Sequence, residues 1–234
     1  MQPFLQTRNL GKIFDKGKDL EIVGLADINI RIDRGGFVVI SGPSGSGKTT
    51  LLNIIGGLDS PTSGTVALEG EIISNWTGKD LTRLRRDDIG FVFQAYNLIP
   101  VLTAAENISY IMKLQGKDSK SCDRRVLEVA DKLGITELLT KLPGQMSGGQ
   151  QQRVAVARAV AAKPRLILAD EPTANLDSIS AANLMDMMEQ LNIDEQITII
   201  FSSHDPRVIN KARHSIILED GHVVRNSQLT ENSE

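Results

Sequence analysis

An apolar run, Phe37-Val38-Val39-Ile40, leads into Gly42-Pro43-Ser44-Gly45-Ser46-Gly47-Lys48-Thr49, and apolar residues at helical spacing (Leu51, Leu52, Ile54, Ile55) follow at once. A buried strand, a glycine-rich loop and a helix in that order form a P-loop, which needs this context to hold phosphate. The glycines let backbone N–H groups turn onto phosphate oxygens, and the helix start adds partial positive charge. Lys48 supplies a point charge at the β and γ phosphates, while the Thr49 hydroxyl is placed to ligate Mg²⁺. The loop alone does not separate a kinase, a GTPase, a helicase or a transport ATPase.

Other apolar runs, Leu166-Ile167-Leu168-Ala169 and Ile197 to Phe201, also end in polar residues. Continuous apolar strands suit a parallel sheet covered on both faces, with ligands at its carboxyl edge. Leu25 to Ile32 and Thr65 to Leu68 alternate instead, which predicts an additional antiparallel sheet. Between about 103 and 142 the strand signals vanish. Val126, Val129, Ala130 and Leu133 then follow helical spacing, so this stretch is expected to be an inserted helical subdomain. The helix after Ser178 is expected to pack Leu184, Met187, Met188 and Leu191 into the core rather than to form a metal box. The fold class predicted is α/β, a mixed parallel sheet with an antiparallel β subdomain and an α-helical insertion. Residues 1–94 and 163–226 would form the core, 95–162 the helical subdomain, and 227–234 a polar disordered tail.

Charge and cysteine content narrow the function classes. A net charge of -3 over 234 residues gives no broad attraction to nucleic acid or an anionic surface. The single cysteine, Cys122, sits in a polar stretch and reads as an inert or surface thiol. The N-terminal residues lack a secretory pattern, and no apolar run reaches the roughly 20 residues of a membrane span. The chain is therefore expected in the cytoplasm, held at any membrane by a partner.

Further polar residues sit where strands end. Asp170 and Glu171 follow the strand at Leu166; Asp170 is expected to orient the Mg²⁺ shell and Glu171 to accept a proton from attacking water. Their divergence is expected from strand alternation, which points neighbours to opposite sides. His204 follows another strand, where it can hydrogen-bond a γ-phosphate or the catalytic water. Gln94 follows Ile89-Gly90-Phe91-Val92-Phe93, and its amide can bind metal-held water. Met146-Ser147-Gly148-Gly149-Gln150 opens a further helix, a second anion site capped by Ser147. One compact nucleotide cannot use both helix starts in one chain. Two copies packed head to tail resolve this, each nucleotide lying between one P-loop and the other copy's Ser147 to Gln150.

In this order of motifs the chain resembles the ATP-binding-cassette ATPases along essentially its whole length. The resemblance implies an ATPase with ATP and Mg²⁺ as cofactors. It places an adenine-stacking aromatic at Phe14, phosphate contacts along Ser41 to Thr50, the glutamine loop at Gln94 and the signature at Met146 to Gln150. It also implies that Thr49, Gln94 and Asp170 serve Mg²⁺, that Glu171 and His204 are catalytic, and that Asn175-Leu176-Asp177 forms a loop through which Asp177 communicates across the dimer. Met146 stands where the family usually has leucine, and Phe14 where tyrosine is commoner. Implied partners are a second copy and integral-membrane permease-type subunits, with no nucleic acid and no direct membrane insertion.

Asp15 to Gly24, Leu51 to Asp59 and Gly90 to Gln94 look like the lipoprotein-release and macrolide-export branch, whose membrane subunits transmit mechanical work. DNA-repair and chromosome-organising relatives would separate Lys48 from Ser147 by a long coiled coil, and no sustained heptads lie between them. Translation factors carry two such cassettes in one chain. An iron-sulfur assembly ATPase and a cell-division regulator remain as alternatives.

Overall fold

The computed structural model describes residues 2–17 and 21–228. The chain begins with β1 (Leu5–Phe14), β2 (Ile22–Ile28) and the short β3 (Arg31–Ile32), then β4 (Phe37–Ser41) and α1 (Lys48–Ile55). It continues through β5 (Ser63–Leu68), β6 (Glu71–Ile72), α2 (Gly78–Asp87) and β7 (Ile89–Val92). Three helices follow: α3 (Ala104–Leu114), α4 (Ser119–Lys132) and α5 (Gly148–Ala161). The last third is β8 (Leu166–Ala169), α6 (Ser178–Glu195), β9 (Thr198–Ser203), α7 (Pro206–Ile209), β10 (His214–Glu219) and β11 (His222–Gln228).

The central sheet runs β11-β10-β4-β9-β8-β7, parallel except for β11 at one edge. The interior stretches of β4, β8 and β9 are apolar because both faces are covered, and their period-2 alternation divides each strand between two cores. Phe37, Val39, Ile167, Ile199 and Phe201 face the core that contains the helices α3 to α6. Val38, Ile40, Leu166, Leu168 and Ile200 face the core shared with α1 and the smaller sheet. The sheet is thus the wall between two apolar layers.

The smaller sheet is antiparallel, ordered β2-β1-β5-β6 with β3 also paired to β1. The expected single strand from Leu25 to Ile32 is interrupted. Leu25, Ile28, Ile30 and Ile32 are all buried, but the first two are three positions apart, an odd step for a strand. Asp27 absorbs that step in a left-handed conformation (φ 52°), and Asn29 Nδ2 ties the bend by donating to the Asp27 carbonyl (3.0 Å) and carboxylate (2.8 Å). Pairing with β1 shifts register at the same place.

The helical stretch opens with a capping box: Thr103 Oγ1 accepts from Glu106 N, and Glu106 Oε2 accepts from Thr103 N. Asp118 caps α4 in the same sense. Cys122 faces inward on α4 and is 1% exposed, so of the inert or surface thiol expected the surface alternative is excluded; the polar neighbours in sequence lie on the helix's other side. On α6 the buried methionines are Met185 and Met188, whereas Met187 is only partly covered. β11 runs to Gln228, two residues into the stretch expected to be a disordered tail, because residues 227 and 228 pair with β10. The rest of that tail, 229–234, lies outside the described residues. No helix among the described residues is long and apolar enough to cross a membrane.

Candidate nucleotide site

The loop between β4 and α1 curls at the carboxyl edge of the central sheet. Gly42 adopts φ 146°, and a Cβ there would lie 2.0 Å from the Leu218 carbonyl oxygen, so no side chain is tolerated. Lys48 Nζ donates to the carbonyls of Gly42 (2.8 Å) and Pro43 (2.9 Å), spanning the loop. An ammonium carries three donors, so one remains for a ligand. The Ser46 hydroxyl is buried without a partner, leaving another unused polar group in the loop.

A cleft of about 640 Å³ opens above this loop, lined by Phe14, Ile22, Val23 and Gly24 at one end and by Gln94, Glu171 and His204 at the other. Pro43, Ser44, Gly45, Gly47, Lys48, Thr49 and Thr50 form its floor. Ser41 does not line the cleft; it is 4% exposed at the end of β4. Phe14 lies against Gly24, where a Cβ would approach its ring to 2.6 Å, and the Lys12 ammonium sits 5.2 Å from the ring centroid. The aromatic face and the phosphate loop therefore line one cavity, as a nucleotide requires.

The acidic end is held by a hydroxyl chain. Thr49 Oγ1 donates to Asp170 Oδ2 (2.9 Å), and Ser202 Oγ donates to Asp170 Oδ1 (2.7 Å). Ser202 Oγ also accepts from the Glu171 backbone N–H (2.8 Å). Ser202 is fully buried on β9, between the strands that carry the P-loop and the acid pair. It was not among the expected site residues; the available signal was a hydroxyl closing an otherwise apolar strand. Strand alternation does not separate Asp170 from Glu171, since β8 ends at Ala169. Glu171 instead turns left-handed (φ 46°), a strained conformation for glutamate, and its carboxylate thereby enters the cleft. There Glu171 Oε1 lies 3.0 Å from His204 Nδ1, and the imidazole is largely exposed to the cavity.

These donors also suit a hard divalent cation. Thr49 Oγ1, Asp170 and Gln94 offer oxygen ligands around one end of the phosphate loop, and such an ion completes its shell with water and phosphate oxygens. Among the described residues no group of three or more His, Cys, Asp or Glu could hold a metal unaided.

Ser147 to Gln150 lie elsewhere. Ser147 Oγ accepts from Gln150 N and Gln150 Oε1 accepts from Ser147 N (2.9 Å), a capping box at the start of α5. Ser147, Gly149 and Gln150 line a separate cleft of about 240 Å³ with Arg153, Leu176 and Ser180, and no residue lines both cavities. Asp177 caps α6, Oδ1 accepting from Ile179 N and Ser180 N at 3.0 Å; the Ser180 hydroxyl and these backbone groups hold its carboxyl below the ordinary range. Asn175 Nδ2 donates to the Gln94 carbonyl (3.0 Å), joining the loop before α6 to the loop after β7.

A glycine-rich loop between a buried strand and a helix, with a serine-tethered acid pair at the neighbouring strand ends, defines a P-loop nucleoside triphosphatase. The family described as ABC transporter matches residues 25–174. The chain belongs to the ABC transporter family, as an ATP-binding, ATP-hydrolysing subunit. It is 42% identical over 226 residues to the lipoprotein-releasing system ATP-binding protein LolD 1 of Chlorobium chlorochromatii, covering 96% of this chain and 92% of that one. It is 39% identical over 219 residues to the bacitracin export ATP-binding protein BceA of Halalkalibacterium halodurans, covering 94% and 86%. Among solved structures, dimeric MJ0796, described as a bacterial ABC transporter cassette, superposes with a TM-score of 0.90 at 40% identity over 97% of this chain and 99% of that one. A post-hydrolysis dimer of the same cassette bound to ADP and phosphate superposes with a TM-score of 0.89.

Proposed function

We propose that this chain works as a head-to-tail homodimer closing on two ATP·Mg²⁺, and that closure drives integral-membrane subunits of the export, lipoprotein-release or mechanical-transmission kind. The observation that carries this reading is the pairing of Glu171 with His204 at the cleft end where Lys48 and Thr49 lie. Phe14 stacks on adenine, while Pro43 to Thr50 wrap the phosphates and Lys48 directs its remaining donor at them; Ser41, buried at the end of β4, supports the loop from beneath. Mg²⁺ held near Thr49, Asp170 and Gln94 would neutralise phosphate charge. Glu171 takes the proton from water attacking the γ-phosphorus, and His204 orients that carboxylate and binds the γ-phosphate. Ser147, Gly148, Gly149 and Gln150 complete the site in trans, their capped helix start facing the other copy's ATP, and Asp177 relays its occupancy across the dimer.

The membrane partner fits a groove of about 300 Å³ between the sheet edge and the helical insertion, lined by Phe91, Phe93, Ile99, Tyr110 and Arg158. Tyr110 and Val101 expose apolar surface beside it, which suits an apolar segment of a membrane subunit. The protein would thus sit on the cytoplasmic face of the membrane. Recovery of an integral-membrane partner on affinity purification supports this branch, whereas soluble scaffold proteins would favour an iron-sulfur assembly role. The hydrolytic assignment is tested by Glu171→Gln: kcat falls about 10²- to 10⁴-fold, as expected for losing a general base, while an ATP-bound dimer accumulates in gel filtration. Hydrolysis at the wild-type rate would remove Glu171 from that role.

A further inference from the structure

The segment after Gln94 joins two regions that the dimeric reading assigns to different nucleotides. Tyr96 and Asn97 are consecutive left-handed residues, φ 61° and 50°. Asparagine tolerates this conformation, but tyrosine does so only when its surroundings hold it. The restraint comes from α5. Arg158 donates from Nη2 to the Tyr96 carbonyl (2.9 Å) and from Nη1 to the Asn97 carbonyl, spending its planar fork on two successive peptides. Burial lowers the Arg158 pKa, so the guanidinium is withdrawn from water to make these bonds. At the other end of α5 the Tyr96 hydroxyl covers Gly148, where a Cβ would lie only 2.7 Å away. One short segment therefore touches both the start of α5 and a residue nearly three turns along it, and Gln94, which leads into it, lines the P-loop cleft.

Gln152, on the same helix, is fully buried with neither amide atom hydrogen-bonded. A buried unpaired amide is costly, so this placement of α5 is one that a shift can improve.

We propose that Arg158 is a positioning residue that clamps Tyr96 and Asn97 to α5, so that occupancy of a chain's own P-loop cleft sets where it presents Ser147 to Gln150 to the other copy. This rests on the dimeric reading above. Arg158→Lys keeps the charge but lacks the fork that reaches both carbonyls. Tyr96→Phe keeps the ring and removes only the hydroxyl over Gly148.

Each substitution is introduced into the full chain in two backgrounds. In Glu171→Gln, ATP-driven dimerisation is measured by sedimentation; in the active chain, the Hill coefficient for ATP hydrolysis is measured. ADP affinity is measured by calorimetry and folding by thermal unfolding. The expected result for Arg158→Lys is ADP affinity within about twofold of the parent, dimerisation weakened about tenfold, and a Hill coefficient falling from about 2 toward 1. Tyr96→Phe shifts dimerisation in the same direction by a smaller factor. Unchanged dimerisation and cooperativity in folded variants would overturn the clamp, as would ADP affinity falling in step with dimerisation. If Arg158→Lys unfolds, Tyr96→Phe decides by the same measurements. Failure of the Glu171→Gln parent to dimerise with ATP overturns the dimeric reading, and this inference with it.

Discussion

Ser202→Ala removes the hydroxyl that holds both acids. The donor to Asp170 Oδ1 (2.7 Å) is lost, and the Glu171 N–H loses its acceptor (2.8 Å). Ser202 is fully buried, so the site has no ready access to replacement water. A hydrogen bond to a carboxylate contributes about 1.5–3 kcal/mol and a neutral one about 1 kcal/mol, so the loss is about 3 kcal/mol. For a domain of this size that lowers Tm by roughly 6–12 °C, measurable by calorimetry. Catalysis suffers separately. Without the tether the left-handed turn at Glu171 relaxes, and Asp170 keeps only its bond from Thr49. If half to all of the loss falls on the transition state, kcat drops by about ten- to a hundredfold. Nucleotide binding through Lys48 and the P-loop backbone changes little. Steady-state hydrolysis and ADP calorimetry on the same preparation separate these effects. A variant that loses the expected stability but keeps kcat within twofold would refute the reasoning, because Ser202 would then support the fold and not the acids.

Two other expectations follow from charge. Arg125, 7% exposed, pairs with Glu195 (3.0 Å) and Glu128 (2.8 Å) and also donates to the Val160 and Ala161 carbonyls. Arg125→Ala leaves the partly buried Glu195 paired with Lys132 alone and lowers stability by about 2–3 kcal/mol in urea titration, with ADP affinity of the folded protein unchanged. At Asp205, the Arg207 side chain and then its backbone N–H lower the carboxyl pKa to about 2. The folded-state pKa lies below the unfolded one, so the contribution is complete above about pH 4 and is lost as pH falls toward 2. In Arg207→Ala the carboxyl titration of Asp205, followed by NMR, should move back toward about 3.9; a midpoint still near 2 would exclude the guanidinium as cause.

Much of this protein is legible in its order of residues, because the relevant rules are local. The continuous apolar strands β4, β8 and β9 announce a sheet buried on both faces, and Gly42 to Thr49 announce a backbone that must pass where no Cβ fits. Ser147 announces a helix start through its capping partner three positions on. The break at Asp27 and the inward turn of Cys122 were not legible, since each depends on which face of an element meets which neighbour.

The meeting of Thr49, Asp170, Glu171, Ser202 and His204 belongs to tertiary structure alone. Thr49 reaches Asp170 across 121 positions and Ser202 reaches it across 32. No periodicity relates such positions. The contact exists because β9 lies between β4 and β8, so the loops leaving all three carboxyl ends converge on one point. Sequence determined that there would be a phosphate loop, an acid pair and a histidine, each at a strand's end. Strand order decided that they converge on one cleft, Glu171 and His204 lining it and Asp170 joined to it through Thr49, and that the Ser147 helix start does not. Local patterns specify how a segment folds; only long-range packing specifies what it then touches.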